Sequence, residues 1–216
     1  MKEQLLTNLL HEGELWNRGV QKIAGLDEAG MGPLAGPVVA AAVILNRESL
    51  SSISVRIDDS KKLTVRQRNR AYGWIIKHAD AWAVSIVNAQ EIDEINIRQA
   101  AMKAMRKAAT KLAVKPDHLL VDGRPLDKPP FTQTALIGGD RKSMSISAAS
   151  IIAKVVRDSI MAHYHEIYPG YLFDRNKGYG TAMHIEALRV HGFSPVHRQT
   201  FRPKSLADHE LYSGRK

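Results

Sequence analysis

The chain has 216 residues, 44% hydrophobic and 25% charged, enough for one substantial core with at most a small appendage. An excess of 31 Lys and Arg over 22 Asp and Glu gives a net charge of +9. That balance favours a polyanionic partner, nucleic acid first, although a merely solvated basic surface has the same composition. The absence of cysteine excludes a disulfide framework, a thiolate metal site and a Cys nucleophile, so any metal chemistry falls to oxygen or imidazole ligands.

The opening residues, MKEQLLTNLLHEGELWNRGVQ, show no apolar signal core with a small-residue cleavage site, and the longest apolar run, PVVAAAVIL, is far shorter than a bilayer span. The expectation is a cytoplasmic protein with no membrane partner. Residues 2–19 read as an amphipathic helix with Leu5, Leu6, Leu9, Leu10 and Trp16 on its apolar side, packed on the main domain. Ile23 to Leu26, Val38 to Leu45 and Ala81 to Val87 read as strands, the second continuous and rich in β-branched residues. From Glu91 a helical stripe of Ile95, Met102, Met105, Ala109 and Leu112 runs on until Pro116 blocks it. Two strand-like runs follow, HLLVDG and TQTALIGGD. A long helix comes next, with Ala149, Ile152, Val156 and Ile160 on one side and Pro169 beyond its end. Irregular chain then leads to a short helix from Ala182 to His191 and a basic tail. Strands followed by helices of these lengths indicate an α/β domain, without repeats or low-complexity linkers.

Three apolar runs stop on acids: IAGLDE at Asp27 and Glu28, HLLVD at Asp122 and ALIGGD at Asp140. Acids are poor strand formers, and at strand ends they can collect on one rim of a sheet, though each alone also suits a turn or a helix N-cap. Four carboxylates gathered together raise one another's pKa unless a cation compensates them, and oxygen ligation selects a hard ion such as Mg²⁺ or Mn²⁺. Beside the first pair, Gly30 and Gly32 permit close approach of backbone amides to a ligand oxygen. Ser60, Lys61 and Lys62, with Arg66, Arg68 and Arg70 close behind, form either a phosphate-contacting surface or a solvated helix start. Tyr179, between two glycines in NKGYGT, is either a partly buried loop tyrosine or a ring offered to a sugar or base.

Taken in order, IAGLDEAGMGPLAGPVVAAAVIL, DSKKLT, EIDEINI, LLVDGR, GGD, SISAASIIAKVVRD, NKGYGT and HRQTF closely resemble the bacterial ribonuclease HII family, within the type 2 ribonucleases H, over roughly residues 10–203. The resemblance implies a ribonuclease H-like fold, a central mixed sheet flanked by helices with a small helical C-terminal appendage. Residues 1–20 would form the packed N-terminal helix, 21–169 the catalytic domain and 170–216 a helical, basic segment of that domain. It implies an endonuclease that cuts the RNA strand of RNA–DNA hybrids and nicks 5′ of ribonucleotides embedded in duplex DNA, as in ribonucleotide excision repair, leaving 5′-phosphate and 3′-hydroxyl ends. By motif, Asp27, Glu28, Asp122 and Asp140 fall on the family's metal-binding, catalytic acids, with two Mg²⁺ or Mn²⁺ ions in the catalytic complex. Gly30, position 31 and Gly32 fall on the segment whose backbone reads the 2′-hydroxyl, Ser60, Lys61 and Lys62 on phosphate contacts, and Tyr179 on the ring that stacks at the RNA–DNA junction. A monomer is expected.

Asp158 is a competing fourth acid, but its position four residues after Lys154 suits a helical ion pair. The family's Gly-Arg-Gly is here Gly-Met-Gly, and a thioether cannot make a charge-assisted bond to phosphate, so Met31 is expected to weaken junction recognition. The related type HIII enzymes also vary this residue, but carry an additional N-terminal domain of which this chain shows no sign. Two other functions stay open on the residues alone: a non-catalytic nucleic-acid-binding protein, and a DNA-directed nuclease on the same fold. A metal-free hydrolase finds no Gly-x-Ser-x-Gly elbow, and the nine histidines are dispersed along the chain.

Overall fold

The computed structural model describes residues 9–203 and Leu206. At its centre is a five-stranded mixed sheet in the order β3-β2-β1-β4-β5. β1 (Ile23–Ala29), β2 (Val38–Leu45) and β3 (Ala79–Val87) form an antiparallel meander. β4 (His118–Asp122) and β5 (Gln133–Leu136) add in parallel on the other side of β1.

β2 is buried at every position because helices cover both of its faces. Ala40, Ala42 and Ile44 pack with Ala100, Ala104 and Ala108 of α4 (Ile97–Thr110), whereas Ala41, Val43 and Leu45 pack with Ala148, Ile151 and Ile152 of α5 (Met144–Ile167). Alanine on strand and helix alike lets the layers close tightly, and this explains why the strand reads as an unbroken apolar run. α1 (Leu10–Asn17) is the described part of the expected N-terminal helix, of which residues 2–8 lie outside the described residues. Its Glu12 is buried and accepts hydrogen bonds from Ser143 Oγ (2.6 Å) and Ser145 N (2.9 Å), joining it to the start of α5.

One element differs from the sequence expectation. The helix expected from Glu91 is two helices, α3 (Ala89–Ile95) and α4, parted at Asn96. Asn96 takes φ +64°, a conformation Asn tolerates, and its side chain accepts from Arg98 N and Gln99 N, capping α4. The basic stretch through Arg66, Arg68 and Arg70, for which a solvated helix start stayed open, enters a full helix, α2 (Val65–His78). Its N-cap is Thr64, in a reciprocal capping box with Gln67, and Ala71, Trp74 and Ile75 are its buried face.

After α5 the chain forms α6 (Phe173–Asn176) and α7 (Ala182–His191) around a smaller core of Leu34, Met161, Phe173 and Leu188. Among the described residues no helix is long and apolar enough to cross a membrane.

Candidate active site

The parallel register of β1 on β4 brings the acids of separate motifs together. Leu26 pairs with Val121, so the next residues, Asp27 and Asp122, end up on neighbouring strands. Asp122 in turn pairs with Leu136 of β5, after which a tight turn with Gly138 at φ +64° brings the chain back. Gly139 N donates to Asp122 Oδ1 at 2.6 Å, and Asp140 follows in a single 3₁₀ turn, its carbonyl held by Ser147 Oγ of α5 at 2.8 Å.

The electrostatics show that these groups share one space. Burial, then repulsion from Glu28 and Asp122, holds the Asp27 carboxyl well above the usual range, despite the Glu28 N–H at 2.7 Å and the nearby Ser150 hydroxyl. Burial and Asp122 push Glu28 up to about 7, with Lys61 opposing them. Asp140 is raised by burial and by Asp59 and Asp122, against Lys61 and Arg141. Burial and mutual repulsion outweigh Lys61 and Arg141 here, and an all-oxygen donor set suits a hard divalent ion. The donor chemistry therefore fits the expected metals. Among the described residues, however, no three acidic or imidazole side chains are already arranged to hold an ion. The carboxylates share a region without converging on one point.

The other expected site residues lie around this cluster in unequal states. Lys61 is exposed and close enough to lower Glu28 and Asp140. Lys62 is exposed and sits 3.7 Å from Asp58. Ser60 is buried, its hydroxyl accepting from Ser150 Oγ at 2.8 Å, so it ties the loop to α5 beside Asp27. Arg68 braces the same loop through the carbonyls of Ser60 and Leu63, whereas Arg66 and Arg70 stay exposed. Asp158 is held by Lys154 Nζ at 2.7 Å, the ion pair expected of it. Met31 and Gly32 are exposed, and the half-exposed ring of Tyr179 lies against Gly32.

Sequence reasoning missed several residues that shape the site. Asp59 is buried beside Asp140, 3.5 Å from Arg141 Nε, and its only sequence signal was the doubled acid before SKK. Arg157 and Arg198 are both fully buried, and neither forms an ion pair with a carboxylate among the described residues. Arg157 donates to the carbonyls of Ala35, Pro37 and Lys177, and Arg198 to those of Gly30, Met31 and Gly36. Burial and the neighbouring Arg157 push Arg198 down to about 9. The signal was an arginine at i+4 from Ala153 and i−4 from Met161, in the middle of an apolar stripe.

Two of the dispersed histidines also meet. Ser194 N–H donates to His197 Nδ1 (3.0 Å), so the ring hydrogen of His197 is on Nε2 and is donated to His184 Nε2 (2.9 Å); His184 Nδ1–H then donates to Tyr179 O (2.9 Å). Both rings must be neutral for this chain to exist. Burial, and then His184, lowers His197 to about 3, within a wall of Tyr171, Phe173 and Phe193. A histidine lowered on folding contributes stability above its unfolded pKa of about 6.5 and loses it as pH falls towards 3. Thermal melts between pH 7 and 4 should show a falling Tm whose slope is shallower in His197→Asn; equal slopes would remove His197 from the acid response. Protonation of the raised carboxyls acts in the opposite sense, so the comparison between variants carries the result.

A mixed sheet in this order, with carboxylates gathered from β1, β4 and the turn after β5, is the arrangement of a hydrolase with the ribonuclease H-like fold. The family model described as Ribonuclease HII matches residues 24–204. A ribonuclease HII of Caldanaerobacter subterraneus subsp. tengcongensis is 49% identical over 196 residues, 91% of this chain and 80% of that protein. The crystal structure of ribonuclease H2 from Pyrococcus horikoshii OT3 superposes with a TM-score of 0.75 at 27% identity, covering 89% of this chain and all of that one. A ribonuclease HII of Archaeoglobus fulgidus, solved in complex with PCNA, gives 0.71 at 25% identity, over 87% of this chain and all of that one. The chain belongs to the ribonuclease HII family and is a ribonuclease H, a hydrolase of phosphodiester bonds.

Proposed function

We propose that this endonuclease hydrolyses the RNA strand of RNA–DNA hybrids and nicks 5′ of single ribonucleotides embedded in duplex DNA, leaving 5′-phosphate and 3′-hydroxyl ends, as a cytoplasmic monomer. The observation that carries this is the gathering of Asp27, Glu28, Asp122 and Asp140 into one charge-deficient cluster beside an exposed glycine-flanked loop. These four would hold two Mg²⁺ or Mn²⁺ ions. Such ions supply Lewis-acid neutralisation of the scissile phosphate and a water acidic enough to attack at neutral pH.

The protein's own groups do the positioning. Lys61 and Lys62 offer ammonium groups to the phosphates flanking the cut, and Arg66 and Arg70 extend the positive surface along α2. The amides of residues 30–32 approach the ribose, where a 2′-hydroxyl distinguishes RNA from DNA. The ring of Tyr179 stacks on the sugar or base at the junction. Residues 21–169 are the catalytic domain, and the C-terminal segment of that same domain, from residue 170 on, supplies Tyr179 and Arg198.

The test is cleavage of three labelled duplexes, with one ribonucleotide, an all-RNA strand, or DNA alone, in Mg²⁺, Mn²⁺ or EDTA. Metal-dependent cutting of the first two alone, with the nick 5′ of the ribonucleotide, is expected. Cutting of DNA would indicate the DNA-directed nuclease, and binding without cutting the non-catalytic protein.

Met31→Arg restores a cation able to bond phosphate, worth about 1.5–3 kcal/mol for a charged hydrogen bond. Single-ribonucleotide nicking should rise about tenfold or more relative to all-RNA cleavage. An unchanged ratio would show that residue 31 acts through its backbone alone.

A further inference from the structure

Two buried arginines under one exposed loop need a reason, because Asp158 and Asp93 act on Arg157 and Arg198 only from beyond ion-pair contact, and a guanidinium removed from water without such contact is costly to the fold. Arg198 spends its fork on main-chain oxygens: Nη2 on Gly30 O at 2.6 Å, Nη1 on Met31 O at 3.2 Å and Nε on Gly36 O at 3.0 Å. Two consecutive carbonyls are thus drawn inwards to the same cation. In a trans peptide the C=O of one residue and the N–H of the next point in opposite directions. The peptides joining Gly30 to Met31 and Met31 to Gly32 therefore present the N–H groups of Met31 and Gly32 outwards. Met31 and Gly32 are exposed, and among the described residues no acceptor takes either N–H.

Gly30 makes this geometry possible. Its φ of +103° turns the chain, and a Cβ there would lie 2.3 Å from Arg157 Nε and 2.6 Å from Pro37 O. Arg157 fills the space beneath, donating to Pro37 O and Ala35 O at the far end of the loop and to Lys177 O in the segment that carries Tyr179.

We propose that Arg198 is a positioning residue for substrate specificity: by holding the carbonyls of Gly30 and Met31 inwards, it aims two adjacent backbone N–H groups at an oxygen of the substrate strand, a ribose hydroxyl or the phosphate beside it. This rests on the ribonuclease function proposed above. Paired outward amides form a concave site for an oxygen or anion, and they work whatever side chain occupies position 31. Lysine cannot replace Arg198, since a single ammonium on a flexible stem cannot bridge three carbonyls in a fixed fork.

The test uses the full chain with Arg198→Lys and Arg198→Gln, assayed on the single-ribonucleotide duplex. KM should rise at least tenfold with kcat within threefold, since the carboxylates are untouched. In ¹⁵N-correlated spectra of the free variants the Met31 and Gly32 amide signals should move. A folded variant with native KM, or with both signals unmoved, would overturn the proposal. If neither variant folds, hydrogen exchange of the native protein decides. Both amides should exchange freely in the free enzyme and slow at least tenfold with a single-ribonucleotide duplex bound in Ca²⁺, and protection of either in the free enzyme would overturn it. Failure of the native enzyme to cut any RNA-containing duplex would strike the function itself instead.

Discussion

Asp27→Asn should abolish cleavage and stabilise the protein. The substitution leaves an acceptor oxygen for the Glu28 N–H but removes the negative charge a hard cation needs, so kcat on an all-RNA hybrid should fall at least about 10³-fold, as when essential groups are removed from other hydrolases. The folded state at pH 7 resists a charge at Asp27, because the carboxyl is buried and faces Glu28 and Asp122. Removing that buried charge relieves the resistance, so Tm should rise in metal-free buffer. Paired activity and melting measurements check both halves. Cleavage within tenfold of native would remove Asp27 from the catalytic cluster, and a lowered Tm would show that its charge is compensated within the protein.

Gly25→Ala should be the most damaging glycine-to-alanine change among the described residues. Gly25 lies in β1 where α5 crosses it, and a Cβ there would fall 2.0 Å from Ser145 C and 2.3 Å from Ile146 N. Those are backbone atoms at the start of a 24-residue helix, so no side-chain rotation relieves the overlap. Overpacking of this kind costs about 3 kcal/mol or more, equivalent to a Tm loss of roughly 6–12 °C for a chain of this size. The displaced helix carries Ser147 and Ser150, which contact Asp140 and Asp27, so activity should fall even well below the melting point. A melt within 2 °C of native would show that α5 can move away from β1 at little cost.

The strands were legible because β2 is covered on both faces and β4 ends on Asp122, whereas β1 runs on through Asp27 and Glu28 to Ala29, past the end of its apolar run. The start of α2 stayed ambiguous because five charged or polar residues crowd its first turns; the Thr64–Gln67 capping box marks where the helix begins. Asn96 was invisible as a break because an apolar stripe continues through it, and its positive φ is a choice of the fold. All four acids of the site could be listed from motif and strand end, whereas Arg157, Arg198 and the His184–His197 pair could not. Arg157 interrupts an apolar helical stripe, which marks it as buried, but the partners of all four lie across long separations that no local pattern encodes.

The parallel pairing of β1 with β4 also sets a timetable for the protein's own synthesis. β1, β2 and β3 are neighbours in sequence and can fold as a meander soon after they leave the ribosome, but β4 joins β1 across roughly a hundred residues. Asp27 and Glu28 therefore wait for Asp122, and then Asp140, while Glu12 closes on Ser143 only after 131 further residues have been made. A basic chain built on a machine made of RNA keeps its carboxylates apart until more than half of it has been released. An unfinished copy therefore cannot assemble the carboxylate cluster until β4 and the turn after β5 have been made.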